Sequence, residues 1–319
     1  MPEADLGAVW IVGGGGLLGG AAVSALVRQG RDVHRVKVPW QQPDRAIEVL
    51  AEAAGEIGRS TAPWRVLWCA GAAVTGADTA TLHRERQMLQ AFLDALPVTT
   101  PGRSARGAVF LASSAGGVFA GSDDPPFSES TAPRPISAYG ESKLLAESIA
   151  RSFAERTGTP VVIGRISNLY GPGQDVTKAQ GLITQLFLAH LNRRPLSIYV
   201  SLDTSRDYLF VDDAAAMAIG AVDRVARERP GTTVVKIMAS HRPTVLAAIL
   251  GEMRRITRHR PSVTLGQSPM ASFQTRDLRF RSDVWTDLDD LASTPLPVGM
   301  AATLNGLRAA ISRGGIHPT

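Results

Sequence analysis

Residues 9–27 read VWIVGGGGLLGGAAVSALV and carry no charge. A run of that length reaches the roughly 18 apolar residues that a membrane-spanning helix needs. Its six glycines argue the other way, since each weakens a helix by about 1 kcal/mol relative to alanine. Glu3 and Asp5 stand where a signal peptide carries its basic segment, so no such peptide is expected. The stretch divides instead into a β-type run at 9–12, a glycine turn, and a helical pattern from Leu17. Gly13, Gly16 and Gly19 are spaced G-x-x-G-x-x-G. The first permits a tight turn, the second lets backbone approach a pyrophosphate, and the third allows close packing of helix on sheet. The helix start then offers free N–H groups and the positive end of its dipole. The stretch predicts a dinucleotide phosphate site.

Outward from this turn the first half alternates β-type runs with helical ones. The β-type runs are AVWIV, DVHRVKV, RVLWCAG, GAVFLASS and TPVVIGRIS; the helices between them include DRAIEVLAEAA and HRERQMLQAFLDAL, and Gly30 closes the first helix. That rhythm predicts an α/β fold with a doubly wound parallel sheet. A proline-rich connection, SDDPPFSESTAPRPIS, follows the fourth strand and is placed to border a site. Beyond about residue 170 the rhythm gives way to isolated helices and short strands. We therefore expect a dinucleotide-binding lobe over 1–170 and a smaller, mainly substrate-binding lobe over 171–319. TVVKIM and the helix after RDYLFVDD are expected to return to the main sheet near 205–240, which interleaves the lobes in sequence.

Composition excludes several classes. Cys69 is the sole cysteine, so neither an internal disulfide nor a thiolate metal cluster is available, and a reducing cytoplasm is expected. The net charge is +5, part of it in GEMRRITRHR, which reads as a solvated basic face. Nucleic-acid binding calls for a basic stripe interleaved with aromatics, and aromatics make up only 6% of the chain. No other uncharged run is long enough to span a bilayer. The expected partner is thus neither nucleic acid nor membrane, and the positive balance suits an anionic small molecule such as a nucleotide diphosphate.

The second chemical signal is Tyr139-Gly140-Glu141-Ser142-Lys143. Residues four apart share a helix face, so the phenol and the ammonium lie one turn apart. A neighbouring cation favours the ionised form of a phenol, which equips a tyrosine for general acid–base work on a sugar hydroxyl or ketone.

Taken with VGGGGLLGG, WCAGAAV, FLASSAGGVFAG, FSESTAPRPISAYGESKLLAE, RISNLYGPGQ and SRDYLFVDDAA, the chain resembles an extended short-chain dehydrogenase/reductase of the NAD-dependent epimerase/dehydratase (sugar-nucleotide) type. The blocks run in the family's order, while the last 80 or so residues match poorly. The resemblance implies a Rossmann-type sheet binding NAD or NADP, a C-terminal α/β lobe binding a nucleoside-diphosphate sugar, and a homodimer. It assigns Tyr139 as catalytic acid/base and Lys143 to the nicotinamide ribose. It implies a catalytic hydroxyl from Ser114 or Ser113, although counting back from Phe119 lands on Ala115. Around the dinucleotide it implies Leu17 and Leu18 after the glycines and Ala70 at the end of the third strand. Asn168 is implied at the substrate's phosphate or base, and Arg206 on its diphosphate, where a planar fork suits the task. Asp207, Asp212 and Asp213 read as helix-start carboxylates and not as a metal site.

Two departures bear on the reaction. NAD-binding turns normally have an acidic residue about 20 residues beyond the glycines. Here Lys37 stands there, preceded by His34 and Arg35, which leans towards the 2′-phosphate of NADP. The segment up to the third strand is also roughly 30 residues shorter than the family's, so a strand and loop beside the adenine are expected to be missing. Ala115, Gly116 and Gly117 replace the Asp-Glu pair of the dehydratases. The expected activity is a 4-epimerase; a 4-keto-sugar reductase using NADPH is the alternative, and a non-catalytic dinucleotide sensor a third.

Overall fold

The computed structural model describes residues 7–59, 62–71, 76–97, 107–178, 180–266 and 275–314. Its centre is a six-stranded parallel sheet. β1 (Ala8–Val12), β2 (Val33–Val36), β3 (Trp64–Trp68), β4 (Gly107–Ser114), β5 (Val161–Ile166) and β10 (Thr233–Met238) lie in the order β10-β5-β4-β3-β1-β2. β3 is buried at all five positions, as a central strand covered on both faces should be.

Alternation along β1 sets the two faces. Val9 and Ile11 pack with Leu18, Ala22 and Leu26 of α1 (Leu17–Arg28) and with α7 (Val211–Val225). Trp10 and Val12 pack on the other side with α2 (Pro43–Arg59), α3 (Thr79–Ala95) and α5 (Ala138–Thr157). Leu18, Ala22 and Leu26 are four apart, one stripe of a 3.6-residue helix. Burying the two leucines contributes about 1.5–3 kcal/mol each. That offsets Gly19 and Gly20 inside α1, at about 1 kcal/mol each.

The chain crosses from β1 to β2 on one side and to β3 on the other. This is the reversal of strand order outside whose carboxyl ends ligands bind in open α/β sheets. β2 is the outer edge on that side; among the described residues no further strand lies beyond it. β10 forms the opposite edge, in parallel register with β5. A second apolar cluster joins Ile183, Leu186 and Phe187 of α6 (Leu182–Leu191), Ile249 and Met253 of α8 (Leu246–Thr257), and Met300, Leu304 and Leu307 of α9 (Leu296–Ser312). Among the described residues, no helix is long and apolar enough to cross a membrane.

Candidate active site

The glycine turn sits at the carboxyl end of β1. Gly13 has φ +87°, a region open to glycine, and a β-carbon on it would fall 2.7 Å from the backbone nitrogen of Ala70. The turn is closed by the Gly16 N–H donating to the Gly13 carbonyl at 2.9 Å. Gly19 packs against this turn and not, as expected, against the sheet: its β-carbon would lie 2.3 Å from the Gly13 oxygen. Gly15 has no atom near its missing β-carbon, so the outer side of the turn is open. Gly16 caps α1 without any side-chain acceptor, and no acidic residue occupies the first turn. An uncapped helix start behind an open glycine turn fits a phosphate group. Leu18 is buried in the sheet core and Leu17 leans on the α6–α9 cluster, so both face the crevice with main chain only.

From the turn a line of contacts leads to the tyrosine. Ala70 abuts Gly13, and at the next residue a β-carbon on Gly71 would be 3.2 Å from Lys143 Nζ. That ammonium lies 5.4 Å from the centroid of the Tyr139 ring. The ring in turn covers Gly117, where a β-carbon would meet Tyr139 Cε1 at 2.9 Å and Ser114 Oγ at 3.3 Å. Local sequence explains the placement. Ser137 caps α5 through the Gly140 N–H, which puts Tyr139 in the first turn. Gly140 admits the close approach, since its β-carbon would fall 2.2 Å from the Gly117 carbonyl.

The two candidate serines part ways. Ser114 caps the short helix α4 (Ala115–Phe119), accepting from the Gly117 N–H at 3.1 Å, and faces the tyrosine ring. Ser113 is buried and donates to Glu147 Oε1 at 2.7 Å, with Arg165 bonded to both carboxylate oxygens. Alternation along a strand sends neighbours to opposite faces, so Ser113 belongs to the interior and drops out as a hydroxyl for the site. Ala115, the position reached by counting back from Phe119, is buried in a cluster with Phe127, Leu278 and Phe280.

The cation expected at Lys37 is placed differently. Lys37 is exposed beyond the end of β2, whereas Arg35 lies across the turn, its guanidinium 3.3 Å from the Gly14 carbonyl. Sequence counting named Arg35 only as a cation preceding Lys37. Two residues apart, the pair shares one face of the extended chain, and that period was the available signal.

Arg206 lies on β8 (Ser205–Arg206), whose neighbouring strand approaches Gly116. It pairs in register with Leu278 of β13 (Asp277–Leu278), whose Cδ1 lies 3.8 Å from a β-carbon built on Gly116. The guanidinium donates to the Ser205 carbonyl at 2.9 Å. Burial pushes its pKa below the ordinary value, while Tyr208 and Asp277 oppose the change. Burial also pushes the Tyr208 phenol up to about 12, with Arg206 pulling the other way. Asn168 opens β6 (Asn168–Tyr170), and its amide donates to the Asp207 carbonyl at 2.9 Å, pinning β6 to β9 (Tyr208–Phe210). Its carboxamide nitrogen is thus engaged in the fold. Asp207 is fully buried and accepts from Ser167, Ser240 and Arg242, and Asp213 accepts from Thr294.

Behind Lys143, a cavity of about 30 Å³ opens between α3 and α5, lined in part by Glu85, Arg86 and Ser142. It is large enough for a water molecule. Arg86 donates to Ser142 Oγ at 2.6 Å. Neither α3 residue was singled out from sequence, because nothing local ties a charged helix position to a lysine more than 50 residues away.

Sheet order and flanking helices together define a Rossmann-like α/β protein. The chain belongs to the NAD dependent epimerase/dehydratase family, whose pattern it matches over residues 9–235. It is 35% identical over 102 residues to a dTDP-L-rhamnose 4-epimerase of Burkholderia thailandensis, covering 31% of this chain and 28% of that protein. It is 37% identical over 105 residues to a dTDP-4-dehydro-6-deoxyglucose reductase of Escherichia coli, covering 33% of each. The chain thus spans about a third of the length of the curated relatives it matches. A solved structure of MoeE5 in complex with UDP-glucose and NAD superposes with a TM-score of 0.74 at 23% identity, over 96% of this chain and 100% of that one. That likeness shows the fold.

Proposed function

We propose that the chain binds a nicotinamide dinucleotide across the β1–α1 turn and acts on a nucleoside-diphosphate sugar as a 4-epimerase. The observation that carries this reading is the unbroken line of contacts Gly13–Ala70, Gly71–Lys143, Lys143–Tyr139 and Tyr139–Gly117, with Ser114 at its end. It joins a phosphate cradle to a phenol along the carboxyl ends of adjacent strands. When bound, the nicotinamide supplies the acceptor and donor of hydride. Tyr139 takes the proton from the sugar hydroxyl and returns it, while Lys143 holds the ribose and stabilises the phenolate. Ser114 orients the reacting oxygen, Arg206 grips the diphosphate, and Asn168 borders it through its remaining carbonyl oxygen. On this reading residues 1–170 form the dinucleotide lobe and 171–319 mainly the sugar-nucleotide lobe, with the chain near 205–240 shared.

A second reading, an NADPH-dependent 4-keto-sugar reductase, draws on Arg35 beside Gly14 and on Lys37 just past the end of the same strand. Two cations there suit a 2′-phosphate better than ribose hydroxyls.

The test is Tyr139→Phe assayed on a panel of UDP- and dTDP-hexoses and their 4-keto forms, with dinucleotide binding measured in parallel. Loss of general acid–base catalysis is expected to cost about 10²–10⁴-fold in turnover with binding retained. Unchanged turnover would overturn both readings, and failure of the unaltered chain to bind either dinucleotide would favour the sensor.

A further inference from the structure

The charge of this chain is strongly segregated. Residues 176–202, 253–276 and 291–319 contain ten Lys and Arg and not one Asp or Glu. Subtracting those ten from the chain's +5 leaves the remainder at −5. The described parts of these stretches supply α6, the end of α8 and α9, which pack on one another around Phe187, Met253 and Leu304.

At the ends of α6 and α8 the cations converge. β7 (Leu196–Ile198) runs parallel to β12 (Val263–Leu265) with Leu196 opposite Val263, so the chain entering each strand brings Arg193 and Arg194 beside Arg258 and Arg260. The rings of His190 and His259 lie 5.6 Å apart, and Arg308 of α9 acts electrostatically on His190. Basic side chains commonly end helices, where they offset the dipole. That role is filled here by Arg254 and Arg255 in the last turn of α8, and it leaves the others unexplained. Arg193 and Arg258 also hold left-handed backbone, at φ +54° and +59°, where glycine or asparagine would be less strained.

These arginines are exposed, and among the described residues Arg193, Arg194, Arg258 and Arg260 have no acidic partner. A stereospecific anion site would fix its guanidinium groups by hydrogen bonds, and this face does not. Exposed cations without acidic partners suit a surface whose own charges are mobile. At the far ends of β7 and β12, Leu265 is 60% and Tyr199 47% exposed, and tyrosine is a side chain that settles at a membrane–water boundary.

We propose that the face formed by Arg193, Arg194, Arg258, Arg260 and Arg308, flanked by Tyr199 and Leu265, docks on an anionic phospholipid surface. GEMRRITRHR is then more than a solvated face: its last residues belong to a peripheral contact, with the acidic remainder of the chain turned to water. Each arginine near an anionic leaflet raises partitioning by about fivefold, an effect that salt screens.

The test is co-sedimentation of the full chain with vesicles of equimolar phosphatidylcholine and phosphatidylglycerol, against vesicles of phosphatidylcholine alone. Binding is expected only to the anionic vesicles, falling at least about tenfold between about 0.05 and about 0.5 M salt. Arg193→Gln, Arg194→Gln, Arg258→Gln and Arg260→Gln combined should lower it by about 600-fold at low salt. Should that variant fail to fold, Arg194→Gln, Arg260→Gln and Arg308→Gln remove three cations without touching left-handed backbone. A control of equal charge loss, Arg28→Gln, Arg59→Gln, Arg84→Gln and Arg229→Gln, should bind as the original does. No enrichment on anionic vesicles, or equal loss in control and patch variants, would overturn the proposal.

Discussion

Ser113 Oγ lies 2.7 Å from Glu147 Oε1, inside the sheet–helix layer, while its neighbour Ser114 turns towards Tyr139. The two hydroxyls thus serve different ends, and alanine substitution should separate them. Ser113→Ala removes one bond to a carboxylate that Arg165 still satisfies, and should cost about 1 kcal/mol of stability with turnover unchanged. Ser114→Ala should cost about as much through the lost helix cap, and should also lower turnover by at least about tenfold. Urea denaturation read beside sugar-nucleotide turnover decides it; equal turnover losses would contradict the assignment.

Glu147 and Arg165 form a buried pair, bonded at 3.0 and 2.8 Å, with the guanidinium 5.0 Å above the Phe119 ring. Removing one partner leaves an uncompensated charge between α5 and β5. Glu147→Leu or Arg165→Met alone should cost about 3–5 kcal/mol, and the double variant distinctly less than the sum. A double-mutant cycle from denaturation midpoints measures the coupling. Additive losses would show that the pair contributes nothing as a pair.

The sheet, its helices and the glycine turn were legible because their signals are local: a period of two, a period of near four, and glycines at a strand end. Tyr139 and Lys143 were legible for the same reason. The rest depends on which way a side chain points or on what distant chain lies opposite. Ser113 and Ser114 are equivalent in sequence, and the strand's alternation separates them only once its faces are known. Arg35 and Lys37 share a face, so counting from the glycines did not reveal which one reaches Gly14. Asn168 is committed to the carbonyl of Asp207, 39 residues away. Arg206 pairs with Leu278, which lies beyond the residues that the family pattern matches.

Gly19 and Gly20 are adjacent in α1, and only one is needed there. A β-carbon on Gly19 meets the Gly13 oxygen at 2.3 Å, whereas on Gly20 its nearest neighbour is 3.7 Å away. Gly20→Ala should leave dinucleotide binding intact and raise stability by up to about 1 kcal/mol, as alanine does in a helix. Gly19→Ala should push the turn off Ala70, lowering stability and reducing dinucleotide affinity at least about tenfold, as overpacking of a close contact does. Calorimetric titration with NAD and NADPH, beside thermal unfolding, tests both; similar behaviour of the two variants would contradict the packing argument.

His241 links the end of β10 to the chain around Asp289, with its Nε2 3.3 Å from Asp289 Oδ1 and its Nδ1 3.3 Å from the Phe280 carbonyl. Burial favours the neutral ring, but Asp289, with help from the Phe280 carbonyl and Asp207, outweighs it and raises the pKa above 6.5. A histidine whose pKa is raised by folding contributes stability that is fully present below its unfolded value. That stability is lost as pH rises through the folded value. Denaturation midpoints should therefore fall between the unfolded pKa near 6.5 and mildly alkaline pH. Asn tolerates the left-handed backbone found here, φ +56°, so His241→Asn should flatten that part of the profile without straining the chain. A variant with the same slope as the original would remove His241 from the account.

Arg35 crosses the glycine turn at Gly14, and Lys37 follows it on the same face of the chain. A guanidinium there is placed to receive a 2′-phosphate and contributes little to a dinucleotide that lacks one. If the reductase reading holds, Arg35→Ala should weaken NADPH binding by at least about tenfold, the range of a charge-assisted hydrogen bond, and change NADH binding less than about threefold. Lys37→Ala should act in the same direction but less, since its exposed ammonium is screened by solvent. If the epimerase reading holds with NAD as resident cofactor, the unaltered chain prefers NAD and neither substitution shifts the ratio. Titration of both dinucleotides into the three proteins therefore discriminates the readings without requiring the sugar to be known.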